Sequence, residues 1–353
     1  MKVMQKTKNF KWQLPVSIFL FVLVVLGMCV IAYFTKLHPL YALILIPSVF
    51  ITVHITALFH EFGHYVSAVS SGFEVYFFSF SCFTVDKFGK KKFRISLFGE
   101  HLGEIRFYPK TERGYAESYK KSLKGGLWGN FLIAVILNVI LILALLQVFG
   151  GASPLISLIF SFAPYSIYTL LINLIPWFHP ENDGSALLRL KSEDESQAVE
   201  NLFSIQKALF EGKTYADIPK GYFTTASNVS QNFKLPILTY ALRRAIELND
   251  EKTSSAIVSI LEMEDFADNE IYCEILYKFI VDNNEVKINE YKEVLSFCEE
   301  DSLAYLRTNL AYMRYVGDDT YVDVAKPTAL KLCDAQKSCK GDAIYNKALI
   351  EKV

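Results

Sequence analysis

The chain has 353 residues, enough for two domains of ordinary size, and its formal net charge is −1. Lys and Arg total 36 against 37 Asp and Glu, and the sequence holds no basic stripe with interleaved aromatic residues, which argues against a nucleic-acid partner. Hydrophobic residues make up 52% of the chain, and every long apolar run falls before about residue 185. The two parts of the chain therefore need separate interpretations.

The cysteines are scattered and form no CxxC pair, so they are predicted to be free thiols in a reducing compartment. The histidines, by contrast, all fall in the first half of the chain: His38, His54, His60, His64, His101 and His179. Any metal chemistry is expected there.

The first apolar segment, residues 14–34, is long enough to span a bilayer. Its apolar core is too long for a signal peptide and no small-residue cleavage site follows, so it is predicted to be an uncleaved first span. Lysines precede it and no acidic residue does, which places the N-terminus in the cytoplasm.

The second predicted span, residues 40–69, contains the sequence HExxH at residues 60–64. On a helix, residues four apart share one face, so His60 and His64 can present their imidazoles to one Zn²⁺ ion. Glu61 lies close enough to take a proton from a water activated by zinc. Because buried His and Glu are costly in hydrocarbon, the pattern favours a metal site over a chance His pair.

Residues 72–110 are aromatic, β-prone and interrupted by turn signals, which predicts a small antiparallel sheet beside the membrane. The lysines and arginines of this region, continuing to Lys124, indicate a cytoplasmic loop. A free edge of the sheet would suit an extended substrate segment that adds as a further strand.

Two more spans are predicted, at residues 127–149 and 154–177, joined by a short external hairpin. Four spans return the chain to the cytoplasmic side, at the depth of the HExxH sequence. Asp183, just beyond the fourth span, is a candidate third zinc ligand, since such a site needs one more protein ligand. His179 and Glu181 are rival candidates, and an Asn-Asp-Gly turn without a ligand role is the structural alternative.

These elements predict a polytopic α-helical membrane protein with about four transmembrane helices and a small membrane-adjacent antiparallel β-sheet. The core would occupy residues 1–190, in the cell membrane, with both chain termini in the cytoplasm. Residues 191–353 would form a soluble, all-α, helical-repeat-like domain with amphipathic helices, and the segments expected are 195–211, 236–249, 252–263, 268–281, 287–300, 302–316 and 322–336. Such a domain would suit a cytoplasmic regulator or substrate adaptor as partner.

Three motifs give the chain a resemblance to the site-2 protease family of intramembrane zinc metalloproteases. The HEFGH sequence at 60–64 resembles the family's HExxH, and residues 126–130 resemble its G-x-x-x-N. Asn173-Leu-Ile-Pro176 with Asp183-Gly184 is similar to its NxxP…DG signature. The chain departs from the pattern at Asn182, where the family usually has Leu, and in a longer gap between Asn173 and Asp183.

The resemblance implies that His60, His64 and Asp183 ligate Zn²⁺, that Glu61 is the general base, and that Asn173 holds substrate or transition state. Substrates would be membrane-embedded proteins or peptides, either transmembrane segments or leader-peptide remnants, in contact with the lipid bilayer. Two other interpretations remain open at this point. One is a prenyl-protein-type membrane metalloprotease with a Glu ligand on a later helix, and the other is a catalytically silent scaffold or metal-binding sensor.

Overall fold

In the computed structural model, the described residues are 42–80, 83–88, 93–95, 103–111, 114–179, 182–264, 268–297 and 302–353. They divide into two compact units. One contains the described residues up to Lys191, and the other runs from Ser192 to Val353. The first predicted span, residues 14–34, lies outside the described residues.

The N-terminal unit combines helices with one small sheet. In chain order its elements are α1 Ala42–Ser70, β1 Phe73–Phe80, β2 Phe83–Asp86, β3 Phe93–Ile95, β4 Gly103–Pro109, α2 Tyr115–Leu145, α3 Ser153–Ile159, α4 Pro164–Leu174 and α5 Asp183–Arg189. A single turn of 3₁₀ helix, Gly150–Ala152, precedes α3.

The sheet is antiparallel, with strand order β3-β2-β1-β4. Phe78 of β1 faces Val85 of β2 on one side and Ile105 of β4 on the other. A bulge between Val75 and Phe77 shifts the register of the β1–β4 pair. Among the described strands, β4 lies at one end of the sheet and β3 at the other.

The prediction of a polytopic membrane protein with about four transmembrane helices is wrong. Among the described residues, only α2 is both long enough and apolar enough to cross a membrane. One such helix supports neither four spans nor the multi-pass location and the orientation of the termini that rested on them. The buried side of α1 carries polar groups: Ser48, Thr52, Thr56, Glu61 and His64.

The predicted fourth span, 154–177, is two short helices instead of one long one. Helix α3 ends at Ile159 and α4 begins at Pro164, which is the first residue of that helix. Proline has no backbone N–H and restricts the residue before it, so it is favoured at a helix start and disfavoured in a helix interior. Neither piece, of 7 and 11 residues, has the roughly 20 residues that a span requires.

The predicted third span, 127–149, also has different limits. Helix α2 already begins at Tyr115, so Lys120, Lys121 and Lys124 lie on the helix and not in the predicted loop. Its C-terminal half packs through Ile133, Leu137 and Leu141 against Ala163 and residues of α1. The apolar run that hydropathy identified is therefore the distal part of a longer helix.

Helices α1 and α2 pack antiparallel at very short range. A Cβ atom added to Gly63 would lie 2.1 Å from the carbonyl oxygen of Gly125, and one added to Gly129 would lie 2.1 Å from that of Phe59. Since real Cβ contacts are never so short, only glycine allows the two backbones to approach this closely. The contact brings the HExxH turn of α1 against the first half of α2.

The C-terminal unit consists of helices, namely α6 Glu193–Phe210, α7 Gln231–Glu247, α8 Glu251–Met263, α9 Asn269–Val281, α10 Glu285–Tyr291, α11 Leu303–Tyr315, α12 Asp319–Ala335 and α13 Lys340–Lys352. They share an apolar core that includes Leu242, Leu261, Ile275 and Leu276. Some consecutive helices pack on each other, such as α7 with α8 and α11 with α12, and α9 also packs against α11.

Candidate metal centre

The two histidines of the HExxH sequence lie one turn apart on the face of α1 that packs against α2. Their Nε2 atoms are 3.2 Å apart and both lie near one carboxylate oxygen. That oxygen is Asp183 Oδ2, at 3.4 Å from His64 Nε2 and 3.8 Å from His60 Nε2. Three side chains from two separate helices thus converge, and together they are a group that could hold a metal ion.

These separations suit a tetrahedral ion. Zinc binds imidazole nitrogen and carboxylate oxygen at about 2.0–2.1 Å, so two donors in a tetrahedral shell lie about 3.3 Å apart. The distances of 3.2, 3.4 and 3.8 Å bracket that value. The donor set therefore fits an ion of this size.

The ligand atoms are also deeply placed. Only 10% of the His64 side chain, 13% of Asp183 and 17% of His60 is exposed. Asp183 Oδ2 is buried and accepts no well-formed hydrogen bond from the described residues. Because an unpaired buried carboxylate oxygen is costly, a metal ion held jointly by this oxygen and the two Nε2 atoms would remove that cost.

Backbone carbonyls of α2 orient both imidazoles. The Nδ1–H of His64 donates to the carbonyl oxygen of Ser122 at 2.9 Å, and the Nδ1 of His60 lies 3.2 Å from that of Gly126. A proton on Nδ1 leaves the lone pair on Nε2, which is the arrangement that metal-binding histidines need. The α2 backbone thus sets the tautomer of each ring.

A buried carboxamide supports the first of these rings. The Nδ2 atom of Asn130, in a residue that is 1% exposed, lies 3.0 Å from Nδ1 of His60. The oxygen and nitrogen of a carboxamide are nearly isosteric, and the carboxamide turned over by 180° would accept from the Nδ1–H of His60. His60 is therefore held by two groups of α2 and His64 by one.

The lack of a side chain at Gly126 leaves room for the Nε2 edge of the His64 ring. A Cβ atom at this position would lie 2.3 Å from Nε2 of His64. Any side chain there would displace the imidazole. The glycine-rich start of the predicted third span is thus part of the site, a role that the helix register reveals and the sequence does not.

Glu61 lies beside the cluster and is 8% exposed. Its carboxylate contacts the start of β4, where a Cβ on Gly103 would lie 2.4 Å from Glu61 Oε1. Burial raises the pKa of Glu61 to about 7, Asp183 and Glu104 add to the rise, and His64 opposes it. A carboxyl group with this pKa can both accept and return a proton at neutral pH.

The two imidazoles differ in proton affinity. Burial and the neighbouring His64 lower the pKa of His60 to about 4. Burial alone would lower the pKa of His64 as well, but Asp183 and Glu61 raise it to about 9. Without a metal, His64 therefore holds its second ring proton at neutral pH, and a bound cation would replace that proton.

Three further residues were predicted as members of the site or as rival ligands: Asn173, His179 and Glu181. The backbone of Asn173 lies against Gly184, but among the described contacts its side chain makes no hydrogen bond to the metal group. His179 is not a member of the metal group, which holds Asp183 instead. Glu181, the other rival ligand, lies outside the described residues. Sequence reasoning gave no role to Ser122, whose carbonyl became visible only through helix packing.

Comparisons of this chain with protein-family models, with curated proteins and with solved structures find no match. The resemblance to site-2 proteases therefore stays a prediction that rests on the motifs themselves.

Proposed function

We propose that this protein is a zinc-dependent peptidase, with His60, His64 and Asp183 as metal ligands and Glu61 as general base. One observation carries the proposal above the others: the buried Asp183 Oδ2 accepts no well-formed hydrogen bond within the described part of the chain, and it lies 3.4 and 3.8 Å from two Nε2 atoms. Two nitrogens and one oxygen are a ligand set typical of catalytic zinc, in which a fourth position stays open.

Zinc, when bound, would polarise the scissile carbonyl group and lower the pKa of water beside it to about 7. Glu61 follows His60 directly and faces the same cluster. It would accept a proton from the attacking water as the new C–O bond forms. It would then pass that proton to the amine nitrogen as the C–N bond breaks.

The substrates we propose are apolar peptide segments, such as transmembrane segments or leader-peptide remnants. Support comes from the outward side of α2, which carries large exposed apolar side chains at Trp128, Phe131, Leu132 and Val135. A surface of this kind favours apolar partners over charged ones.

Strand β4 offers a way to align such a substrate. It lies at one end of the described sheet and its first residue, Gly103, touches Glu61. An extended peptide that paired with the outer edge of β4 would pass beside the general base. Peptide bonds of a helix are engaged in internal hydrogen bonds, so a strand-like state also exposes the bond to be cut.

The main experiment uses the purified full-length chain, stripped of metal and then titrated with zinc. Hydrolysis of an apolar fluorogenic peptide is compared between wild type, Glu61→Gln and Glu117→Gln, a control at a side chain that is 70% exposed in the same unit. We expect Glu61→Gln to bind zinc as wild type does but to lose about 10²–10⁴-fold in rate. Glu117→Gln should keep full activity.

Two results would contradict the proposal. Cleavage that persists in Glu61→Gln would exclude Glu61 as the base. Zinc binding with no cleavage of any apolar peptide would favour the metal-binding sensor that the sequence left open. His64→Ala should lose both zinc and activity, since a ligand is removed.

A matched pair of proline variants tests the role of β4. Arg106 lies in β4 and Arg94 in β3, at opposite ends of the sheet, and both side chains are 54% exposed. Because proline cannot donate a backbone hydrogen bond, Arg106→Pro should reduce cleavage much more than Arg94→Pro. Equal effects at the two edges would rule out pairing at β4.

A further inference from the structure

The break after α4 leaves a carbonyl group without its normal partner. In a continuous helix, the carbonyl of Ile172 would accept from the N–H of residue 176, but that residue is proline and has no N–H. Helix α4 ends at Leu174, and Ile175 is extended, with φ −88° and ψ 115°, as expected of a residue before proline. The end of α4 therefore needs donors from elsewhere in the chain.

Asn182 supplies them. Its Nδ2 donates to the carbonyl of Ile172 at 2.5 Å and to that of Ile175 at 2.9 Å. Its Oδ1 accepts from the backbone N–H of Ser185 at 2.7 Å, so the same side chain also caps α5. A carboxamide offers two donors and an acceptor on one short side chain, and here all of them are used.

Ser185 joins the two helices in the same way. Its hydroxyl oxygen lies within hydrogen-bond distance of the carbonyl oxygens of Pro176 and, at 2.8 Å, His179, and its single O–H is shared between them. Asn182 and Ser185 are 7% and 6% exposed. Between them, a Cβ on Gly184 would lie 2.1 Å from the carbonyl oxygen of Leu174, so the start of α5 lies directly against the end of α4.

Asp183 lies inside this set of contacts, between Asn182 and Gly184, and its carboxylate reaches the histidines of α1. We propose that Asn182 is a positioning residue: it donates to the Ile172 carbonyl, which Pro176 leaves without its helical donor, and to the Ile175 carbonyl, and it thereby fixes Asp183 as third metal ligand. The inference rests on the proposed metal centre and deepens it. Asn182, the residue at which the chain departs from the family pattern, acquires a physical role.

The test compares Asn182→Ser with wild type and with Asn284→Ser. Serine keeps an oxygen that can cap the helix but cannot reach the two carbonyls, so the variant separates capping from donation. Asn284 caps α10 in the C-terminal unit by accepting from Lys287 N, and it serves as the matched cap control. All three proteins are full-length.

Zinc affinity of the apo-proteins is measured by competition with a chromophoric chelator, together with the visible absorption of the cobalt-substituted forms. We expect Asn182→Ser to bind zinc about 10–100-fold more weakly, the range found when groups that orient metal ligands are removed. Its cobalt spectrum should also differ from that of wild type, because Asp183 would no longer be fixed. Asn284→Ser should match wild type in both measurements.

Thermal unfolding of the apo-proteins identifies a purely structural role. A lower midpoint for Asn182→Ser with unchanged zinc affinity and cobalt spectrum would overturn the inference, and so would affinity equal to wild type at an unchanged midpoint. A wild-type protein that binds no zinc would remove the metal centre and the positioning role together. Wild-type zinc binding with an unaffected Asn182→Ser would remove the positioning role alone.

Discussion

The two units of this protein both bury carboxylate side chains, but the hydrogen bonding of the buried carboxylates differs. In the C-terminal unit, Glu274 is fully buried between two arginines and accepts from Arg243 Nε at 2.9 Å and from Arg307 at 2.7 Å. Arg307 also donates to Asn346 and lies 4.3 Å from the ring centre of Tyr277. Both oxygens of the buried carboxylate therefore have donors.

In the N-terminal unit the buried carboxylate is incompletely paired. Asp183 Oδ2 has no well-formed hydrogen bond from the described residues, and two imidazole nitrogens lie 3.4 and 3.8 Å from it. Carbonyl oxygens of α2 hold the other nitrogen of each ring. A buried carboxylate with a donor at each oxygen belongs to a structural ion-pair network, whereas one with an unsatisfied oxygen beside two imidazole nitrogens is a candidate for binding a cation. By burial and hydrogen bonding alone, the surroundings of Glu274 are a structural charge cluster and those of Asp183 are a candidate site.

The largest effect on stability is expected from breaking the buried ion-pair network around Glu274. Glu274→Gln would leave two buried guanidinium groups without their shared counter-charge, which should lower the free energy of unfolding by about 3–5 kcal/mol. Urea denaturation of the full-length chain, followed by circular dichroism, measures it. Zinc affinity should not change.

The control for this variant is Asp319→Asn, which breaks the ion pair between Arg314 and Asp319. Their side chains are 54% and 66% exposed, so the loss should be at most about 1 kcal/mol. A Glu274→Gln protein as stable as this control would show that the buried network contributes little.

The same carboxylate predicts a pH dependence. Burial alone would raise the pKa of Glu274, but Arg243 and Arg307 hold it below its ordinary value of 4.5. A group whose folded-state pKa is lowered contributes stability that is present above the unfolded pKa and lost as pH falls through the folded pKa. The stability difference between wild type and Glu274→Gln should therefore be constant near neutral pH and shrink below pH 4.5.

Crowding the candidate site is expected to lower stability less than Glu274→Gln does, but to weaken zinc binding strongly. Gly126→Ala places a methyl group about where His64 Nε2 lies, because the added Cβ would be 2.3 Å from that atom. We expect zinc binding to weaken more than about 100-fold and stability to fall by about 1–3 kcal/mol. Gly151→Ala, where a Cβ meets nothing within 4 Å, should change neither quantity. Wild-type zinc affinity in Gly126→Ala would mean that the metal site lies elsewhere.

Local patterns in the sequence were sufficient for some elements. Amphipathic periodicity predicted a helix over 268–281, and the structure has Asn269–Val281. Amphipathic periodicity did not predict the last helix, Lys340–Lys352. The residue before this helix, Cys339, has a left-handed conformation and provides no side-chain cap. The prediction started the helix of residues 236–249 at Pro236. The observed helix α7 begins earlier, at Gln231, and contains Pro236 in its interior.

Hydropathy failed for a different reason. A window that counts apolar residues over 154–177 cannot register the turn at 160–163 that Pro164 follows, so two short helices were taken for one span. The spacing of His60 and His64 on one helix face needed only the helix period, and it could be predicted. The groups that orient them, Ser122 and Asn130, lie on α2, and their contacts depend on an interhelical register that no local pattern specifies.

The smallest effect on zinc affinity is expected from Asn130→Ala, and Asn138 on the same helix provides a matched control. Removal of the carboxamide takes away one of two groups at Nδ1 of His60, but the carbonyl of Gly126 remains. We therefore expect zinc affinity to fall only about tenfold. This is the lower end of the range of about 10–100-fold expected when a group that hydrogen-bonds a metal ligand is removed. Asn138 lies two turns further along α2 and donates to Ala134, Ala163 and Ser166 instead. Asn138→Ala should lower stability and leave zinc affinity unchanged, so equal affinity losses in the two variants would show that α2 influences the metal through packing and not through Asn130.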